Sequence, residues 1–417
     1  MHALTAGFIA LVLGGALVRV WLLVRQNAAV KAHRGKVPEP FAGTISLQDH
    51  QRAADFTMAH SRLTGVELLT ATVLSLVLTV GGGIAAVDSM WSVASLDSPW
   101  HGTAVIGSVL LVMMIVDLPL SIWRTFRIEA KFGFNRTTPR LFAMDMLKGI
   151  LVGILLGGPL LIAMLQLMDT AGRYWWLIAW CLWVAFMLII AWAWPSFIAP
   201  LFNKFEPLAD QALRSRIEGL LTRCGFRTRG VFVMDGSRRS THGNAYFTGL
   251  GRNKRIVFFD TLIERLQPEE IEAVLAHELG HFSLHHVRKR LALSLVSSFA
   301  GLAILGALAN SPGFFQALGA TVPASHTALL LFMLATPAVT FFLTPVSAWW
   351  SRQHEFEADH FASQQAPAMQ LIQALVKMYR DNATTLTPDP IYAAFYFSHP
   401  PALMRIQRLQ TLTSPAA

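Results

Sequence analysis

Long apolar stretches alternate with polar connections along most of this chain. Seven of the stretches are about 20 residues long, which is the length that an α-helix needs to cross the hydrocarbon core of a bilayer. The pattern predicts membrane spans at residues 4–24, 65–87, 103–123, 142–167, 174–194, 291–309 and 328–350. Prolines inside these stretches are compatible with spans, because a membrane helix kinks at proline rather than breaking.

The overall composition agrees with this pattern. Of the 417 residues, 53% are hydrophobic and 14% are charged, whereas soluble domains carry about 25% charged residues. The two cysteines, Cys181 and Cys224, are too few for a disulfide framework or a cysteine-based zinc site. We therefore expect a predominantly α-helical, multi-pass membrane protein embedded in a lipid bilayer.

Lysine and arginine are distributed unevenly among the connections between the spans. Residues 25–62 and 124–140 are rich in them, whereas residues 88–102 and 310–327 contain none. By the positive-inside rule, this bias places the N-terminus outside and the C-terminus in the cytosol. The net charge is +9, and the basic residues lie next to the spans, which is the pattern of membrane anchoring. We therefore do not expect nucleic-acid binding. The alanine- and tryptophan-rich composition favours a bacterial inner membrane.

The most informative motif is His-Glu-Leu-Gly-His at residues 277–281. Pro268 and the acidic residues after it predict the start of an amphipathic helix that leads through the motif into the sixth span. On a helix, His277 and His281 lie one turn apart on one face, so their imidazoles can bind a single Zn²⁺. Glu278 can then reach a water molecule on that ion. The competing interpretation is a pair of surface histidines.

A catalytic zinc site needs a third protein ligand and one open position for water. Glu355 is our candidate, since it follows the seventh span on the same side of the membrane as the motif. Asp359, one turn further along, can orient a ligating histidine, whereas Glu357 points elsewhere. Without the motif, these acids would be interpreted as a solvated helix end. We expect His285 and His286 to be either hydrogen-bond partners of a ligand or solvated.

The chain divides into four regions on this basis. Residues 1–194 contain five spans with basic cytosolic loops, and residues 291–350 contain spans six and seven. We expect a cytosolic, zincin-like catalytic domain at residues 195–290 and a C-terminal cytosolic catalytic segment at residues 351–417. Asp117 and Asp145 interrupt spans, and we expect them to face a wet cavity.

A short β-hairpin is predicted inside the catalytic domain. Residues 244–247 have the pattern of a strand, and residues 255–259 have that of its partner. An extended peptide can add to such a strand through backbone hydrogen bonds, with Asn244 holding one of its carbonyl or amide groups. The alternative is an ordinary turn asparagine after Gly243.

Several blocks of sequence point together to one family. They are Lys-Phe-Gly-Phe-Asn with Thr-Thr at 131–138, the segment 244–262, the motif at 277–281, Glu-Phe-Glu-Ala-Asp at 355–359 and Ser-His-Pro-Pro at 398–401. In these blocks the chain resembles the type I CAAX prenyl protease family of integral-membrane zinc metallopeptidases. The resemblance implies seven helices that enclose a chamber, and one zinc ion per chain. It also implies that His399 and Arg405 stabilise the oxyanion, and it favours the substrate-binding role of Asn244.

We therefore expect a zinc metalloendopeptidase that acts on peptide or protein substrates, including lipidated or membrane-associated ones. CAAX-type processing and membrane protein quality control are both compatible with this activity. The alternative is a non-proteolytic receptor or chaperone that contains zinc. The intact motif argues against that alternative, because a structural zinc site is usually closed by four protein ligands. A proton-coupled transporter is disfavoured because the chain lacks paired half-helix repeats.

Overall fold

Long helices make up the N-terminal half of the protein. The computed structural model describes residues 3–226, 228–249, 254–320 and 322–413. Asn253, which belongs to one of the blocks quoted above, lies outside the described residues. The helices of this half are α1 (Ala3–His33), α2 (Leu47–Leu78), α3 (Gly83–Ser92), α4 (Ser98–Trp123), α5 (Pro139–Thr170), α6 (Trp175–Ala193) and α7 (Ala199–Phe202).

The C-terminal half mixes short strands with helices. Its elements up to the catalytic motif are β1 (Phe205–Pro207), α8 (Gln211–Arg223), β2 (Val231–Met234), β3 (Ala245–Thr248), β4 (Arg255–Phe259), α9 (Asp260–Ile263) and α10 (Pro268–Ser283). After them come α11 (His286–Leu308), α12 (Pro312–Ala317), α13 (Ser325–Thr340), α14 (Thr344–Gln365), α15 (Ala368–Asp381), α16 (Pro390–Tyr396) and α17 (Ala402–Thr413).

Seven helical segments in the described ranges are long and apolar enough to cross a membrane. Each of them overlaps one of the seven predicted stretches, so the prediction of a helical, seven-span protein is confirmed. The last of them is α13 followed by α14, which join through a tight helical turn at Phe341–Leu343. Pro345 lies in the first turn of α14, where its missing N–H costs little.

The predicted end of the second span is wrong. α2 ends at Leu78, and the residues predicted to complete the span form a turn and the start of α3. Three consecutive glycines, residues 81–83, explain the early end. Gly82 has φ = 77°, a left-handed conformation that stops a helix and that glycine adopts without strain.

The seven spans form a closed ring. Each of α1, α2, α4, α5, α6, α11 and α13 contacts the next, and α13 returns to α1. At one end of the ring, buried apolar side chains such as Val105, Leu165, Leu305 and Leu330 fill the space between the helices. At the other end, α16 contacts α1 and α15 contacts α2, so the polar elements cover the ring. This arrangement surrounds an interior, as the resemblance implied.

The strands form one small mixed sheet in the order β1-β2-β4-β3. β2 and β4 are parallel, and the other two pairs are antiparallel. Ala245 pairs with Phe258 in the β3–β4 hairpin, which confirms the predicted pairing. β3 is an edge strand, so one side of its backbone has no strand beside it within the described residues.

The two polar segments of the C-terminal half share one hydrophobic core. Phe258 and Leu279 come from the first segment, and Leu375 and Leu409 come from the second. α10 packs on α14 and α15 through this core. The metal motif and the later acidic residues are therefore brought together by ordinary core burial.

The motif helix does not continue into the sixth span, contrary to expectation. α10 ends at Ser283 and α11 begins at His286. His285 between them has φ = 61°, a left-handed conformation that changes the direction of the chain. As a result, His285 and His286 do not continue the helical face of the motif.

Asp145, which interrupts a predicted span, forms a salt bridge with Arg239. Its carboxylate accepts hydrogen bonds at 2.8 and 2.9 Å from the Arg239 guanidinium, which also donates to the Phe202 carbonyl. Asp145 is thus a salt-bridge partner that ties α5 to the sheet region.

Candidate metal centre and active site

α10 presents the two motif histidines to a buried site. Pro268 occupies its first turn, and the Glu270 carboxylate accepts a hydrogen bond at 2.7 Å from the Gln267 backbone N–H. This capped start fixes the register of the helix. The Nε2 atoms of His277 and His281 lie 3.3 Å apart, one helical turn from each other along the chain.

Glu355 on α14 completes a three-residue group with these histidines. Its Oε2 lies 3.4 Å from His277 Nε2, and its Oε1 lies 3.3 Å from His281 Nε2. Atoms that bind one ion tetrahedrally at 2.0–2.1 Å stand about 3.3–3.4 Å from one another. The side chain of Glu355 is 3% exposed, and its Oε2 has no hydrogen-bond partner among the described residues. The spacing and the buried, unbonded oxygen both fit a metal ion.

His277 is anchored on its other side by a buried ion pair. Its Nδ1 lies 2.9 Å from Asp359 Oδ1. Arg405 donates two hydrogen bonds of 2.7 Å to the same carboxylate. Burial and the Arg405 charge act to lower the pKa of His277, but hydrogen bonds to Asp359 and Glu355 outweigh them and raise it to about 9.

His281 is anchored differently. Its Nδ1 lies 3.0 Å from Nδ1 of His286, and Nε2 of His286 lies 2.8 Å from Glu357 Oε2. His286 is buried, whereas His285 is exposed and, within the part of the chain that the structure describes, hydrogen-bonds through its ring to the Phe282 carbonyl alone. The structure therefore separates the two histidines that the sequence left open. Glu357 points away from Glu355, as its helical position predicts.

Two cavities of about 400 and 520 Å³ meet beside this group. Both are lined by Glu278 and His399. Burial raises the pKa of the Glu278 carboxyl against the opposing charges of the motif histidines. Asn244, just before β3, lines the first cavity, and Tyr246, Phe247 and Thr248 of β3 line the second. The edge strand thus runs along a continuous groove past the metal-binding group.

Comparison with known proteins agrees with this geometry. Residues 26–204 match the model of the CAAX prenyl protease N-terminal region with five membrane helices, and residues 207–413 match that of peptidase family M48. A CAAX prenyl protease 1 homolog from Oryza sativa subsp. japonica is 35% identical over an alignment of 412 residues that covers 95% of this chain and 95% of the relative. The chain belongs to peptidase family M48. It is accordingly a membrane metallopeptidase, as the sequence predicted.

Further relatives of this M48 peptidase cover the same regions. CAAX prenyl protease 1 from Saccharomyces cerevisiae is 36% identical over 312 residues, covering 71% of this chain and 69% of the relative. The crystal structure of S. mikatae Ste24p superposes with a TM-score of 0.90 and 28% identity. The superposition covers 98% of this chain and 99% of that chain, so the two share the whole fold.

Tyr379 was not identified from the sequence as a residue of the active site. Tyr379 on α15 lines the first cavity and interacts with Arg405. Burial raises the pKa of the Tyr379 hydroxyl, so it remains a neutral donor at physiological pH. The amphipathic pattern of residues 368–381 predicts a helix that packs on the core, but no motif marks this tyrosine.

Proposed function

We propose that this M48 peptidase is a zinc endopeptidase with one ion per chain, held by His277, His281 and Glu355. The proposal is supported by distances of 3.3–3.4 Å that join the two histidine Nε2 atoms to each other and each of them to one carboxylate oxygen of Glu355. Two imidazoles and one carboxylate are the ligand set of many hydrolytic zinc sites, which keep a fourth position open. A structural zinc site would be closed, whereas the cavities on either side leave this one accessible from the groove.

Zinc bound here supplies an acidified water and polarises the scissile carbonyl. Glu278 faces the groove from the same helix and acts as the general base. Its raised pKa suits a carboxylate that must hold the proton before passing it to the leaving amine.

His399 is the proposed donor to the oxyanion. It lies on the loop between α16 and α17, with its Nε2 3.5 Å from Glu355 Oε1. The Ser398 hydroxyl lies 3.1 Å from His399 Nδ1. If this hydroxyl donates, Nδ1 is the acceptor and Nε2 carries the proton that the oxyanion needs. Arg405 acts indirectly. It donates hydrogen bonds to Asp359, and Asp359 in turn orients the ring of His277.

The substrate is proposed to bind as an extended strand beside β3. The chain lines the first cavity at Asn244, just before β3, and the second cavity along β3 from Tyr246 to Thr248. An antiparallel peptide would place the residues before the scissile bond in the second cavity and those after it in the first. Asn244 is exposed at the start of this edge, in reach of a backbone amide or carbonyl of the released fragment.

Membrane-associated or lipidated proteins are the proposed substrate class. The groove lies where the ring of spans meets the polar elements, and the relatives are CAAX prenyl proteases by name. CAAX-type processing and quality control of membrane proteins both fit a site in that position. The basic connections support an N-terminus outside and a catalytic region in the cytosol. The alanine- and tryptophan-rich composition is the support for a bacterial inner membrane.

The variant Glu278→Gln tests the proposal. It keeps the three metal ligands and removes the base, so we expect zinc content to stay at the wild-type level. We expect the peptide cleavage rate to fall by about 10²–10⁴. Substrates trapped by this variant in cells can be identified by mass spectrometry. Cleavage at the wild-type rate would show that Glu278 is not the base.

A further inference from the structure

Metal-binding side chains converge at more than one place in this protein. Among the described residues, three groups bring their ligand atoms within 4.8 Å of one another: His277–His281–Glu355, Asp88–His101–His326 and His286–His354–Glu357. In the second group, both histidine Nε2 atoms lie 2.7–2.8 Å from a single oxygen of Asp88. That is hydrogen-bond spacing, shorter than the separation of two ligands on one ion.

The third group is also unsuited to a metal ion. The rings of His286 and His354 are stacked, with centroids 4.0 Å apart and planes only 12° from parallel. Nitrogen lone pairs lie in the ring plane, so two stacked imidazoles cannot aim them at one point. Nε2 of His286 is instead 2.8 Å from Glu357 Oε2, which is hydrogen-bond spacing. This group is therefore a hydrogen-bond network with one end at His281.

The direction of each hydrogen bond follows from the neighbouring one. A His281 that binds the metal through Nε2 must carry its proton on Nδ1. That proton is donated to His286 Nδ1 at 3.0 Å. His286 then carries its own proton on Nε2 and donates it to Glu357. Each donor has one acceptor, and the chain ends at a carboxylate whose side chain is 49% exposed.

The two histidine ligands consequently have unlike support. His277 contacts the carboxylate of Asp359 directly, and Arg405 neutralises that carboxylate in the protein interior. His281 reaches its carboxylate only through a second imidazole, and that carboxylate stands at the surface. The stack on His354 fixes the plane of the intervening ring.

The geometry points to His286 and Glu357 as positioning residues that fix the proton and the ring orientation of His281 for metal binding. This inference rests on the proposed zinc site. Partners of this kind raise the basicity of a ligating histidine, and their loss typically costs about 10–100-fold in metal affinity or activity. Glu357 itself touches neither the three ligands nor the groove.

Glu357 is the residue to change, since its half-exposed position lets Glu357→Ala fold. The rate of zinc release from the loaded, full-length protein to an excess of chromogenic chelator is measured first. The visible absorption of the Co²⁺-substituted protein is measured second. Glu218→Ala is the matched control, because Glu218 is an exposed helical glutamate whose salt bridge, among the described residues, is with Arg214.

We expect Glu357→Ala to release zinc about tenfold faster than wild type and to shift the cobalt bands. Glu357→Gln keeps an acceptor oxygen, so its rate of zinc release should lie between those of wild type and Glu357→Ala. Glu218→Ala should release zinc at the wild-type rate. Wild-type release rates and an unchanged cobalt spectrum in Glu357→Ala would overturn the inference and leave the zinc site standing. A wild-type protein that binds no zinc would overturn the zinc site as well.

Discussion

Gly280 and Ala358 meet where α10 crosses α14. A Cβ atom on Gly280 would lie 3.0 Å from the Ala358 Cα and 3.2 Å from its carbonyl oxygen. These are backbone atoms, which cannot move aside without moving the helix. The close approach sets the distance between the helix that carries the motif histidines and the helix that carries Glu355.

The variant Gly280→Ala should therefore weaken the metal site without touching a ligand. The added methyl group pushes α10 and α14 apart, and overpacking of this kind costs about 1–3 kcal/mol of stability. We expect a lower melting temperature and weaker zinc binding, measured by thermal unfolding and by competition with a chelator. Gly219→Ala on α8 is the control, because the one described atom near its new methyl would be the flexible end of the Arg223 side chain, at 3.7 Å. Equal zinc affinity in both variants would contradict the role of this crossing.

Metal binding should depend on pH through His277. In the metal-free protein the pKa of His277 is raised to about 9, so the ring is protonated at neutral pH and zinc must displace that proton. We expect zinc affinity to rise about tenfold per pH unit up to pH 9, measured by chelator competition. An affinity that is flat between pH 6.5 and 9 would argue against this protonation.

The same pKa predicts a change in the stability of the metal-free protein. A folded-state pKa of about 9, above the ordinary value of 6.5, gives a stabilising contribution that is complete below pH 6.5. That contribution is lost as the pH rises towards 9. Thermal unfolding should therefore show the metal-free protein losing stability over this window, while the zinc-loaded protein loses less. A parallel decline of both forms would show that His277 is not the group responsible.

Ser398 should affect catalysis through the tautomer of His399. Ser398→Ala removes the hydroxyl that lies 3.1 Å from His399 Nδ1, so the proton is no longer held on Nε2. Loss of one such hydrogen bond is worth about 0.5–1.5 kcal/mol, or roughly a two- to thirteenfold fall in kcat. KM and zinc content should stay unchanged. Ser363→Ala, which removes a hydroxyl bonded to the exposed His360 carbonyl, is the control.

The orientation in the membrane can be tested with single cysteines. In a variant with Cys181 and Cys224 replaced by alanine, Ser95→Cys lies in a connection without lysine or arginine. Gln407→Cys lies on the exposed side of α17. A membrane-impermeant maleimide applied to intact cells should label the first position only. Labelling of the second position alone would show that the protein has the opposite orientation in the membrane.

Much of the fold was predictable because a bilayer restricts what a chain can do. An apolar stretch of about 20 residues must be a helix that satisfies its own backbone, so the spans follow from hydrophobicity alone. The residues at which the spans end cannot be predicted from hydrophobicity, because local backbone geometry determines them. The second span ends at three glycines, and the turn at His285 depends on a left-handed residue that nothing in the motif requires.

Some residues of the site were likewise predictable from the sequence, and others were not. His277, Glu278 and His281 stand at fixed helical spacing, so their proximity could be read from the sequence. Contacts between distant segments could not, because they depend on how the helices pack. Tyr379 reaches Arg405 only because α15 packs on α10 and α17. Glu357 meets His286 only because the chain turns between α10 and α11.

The zinc content of purified protein, measured by elemental mass spectrometry, tests the central claim most directly. Wild type and Glu278→Gln should each carry about one zinc per chain, and Glu355→Gln should carry almost none, since a two-histidine site binds weakly. A wild-type protein without zinc, or a Glu355→Gln variant that retains the wild-type amount, would contradict the proposed site.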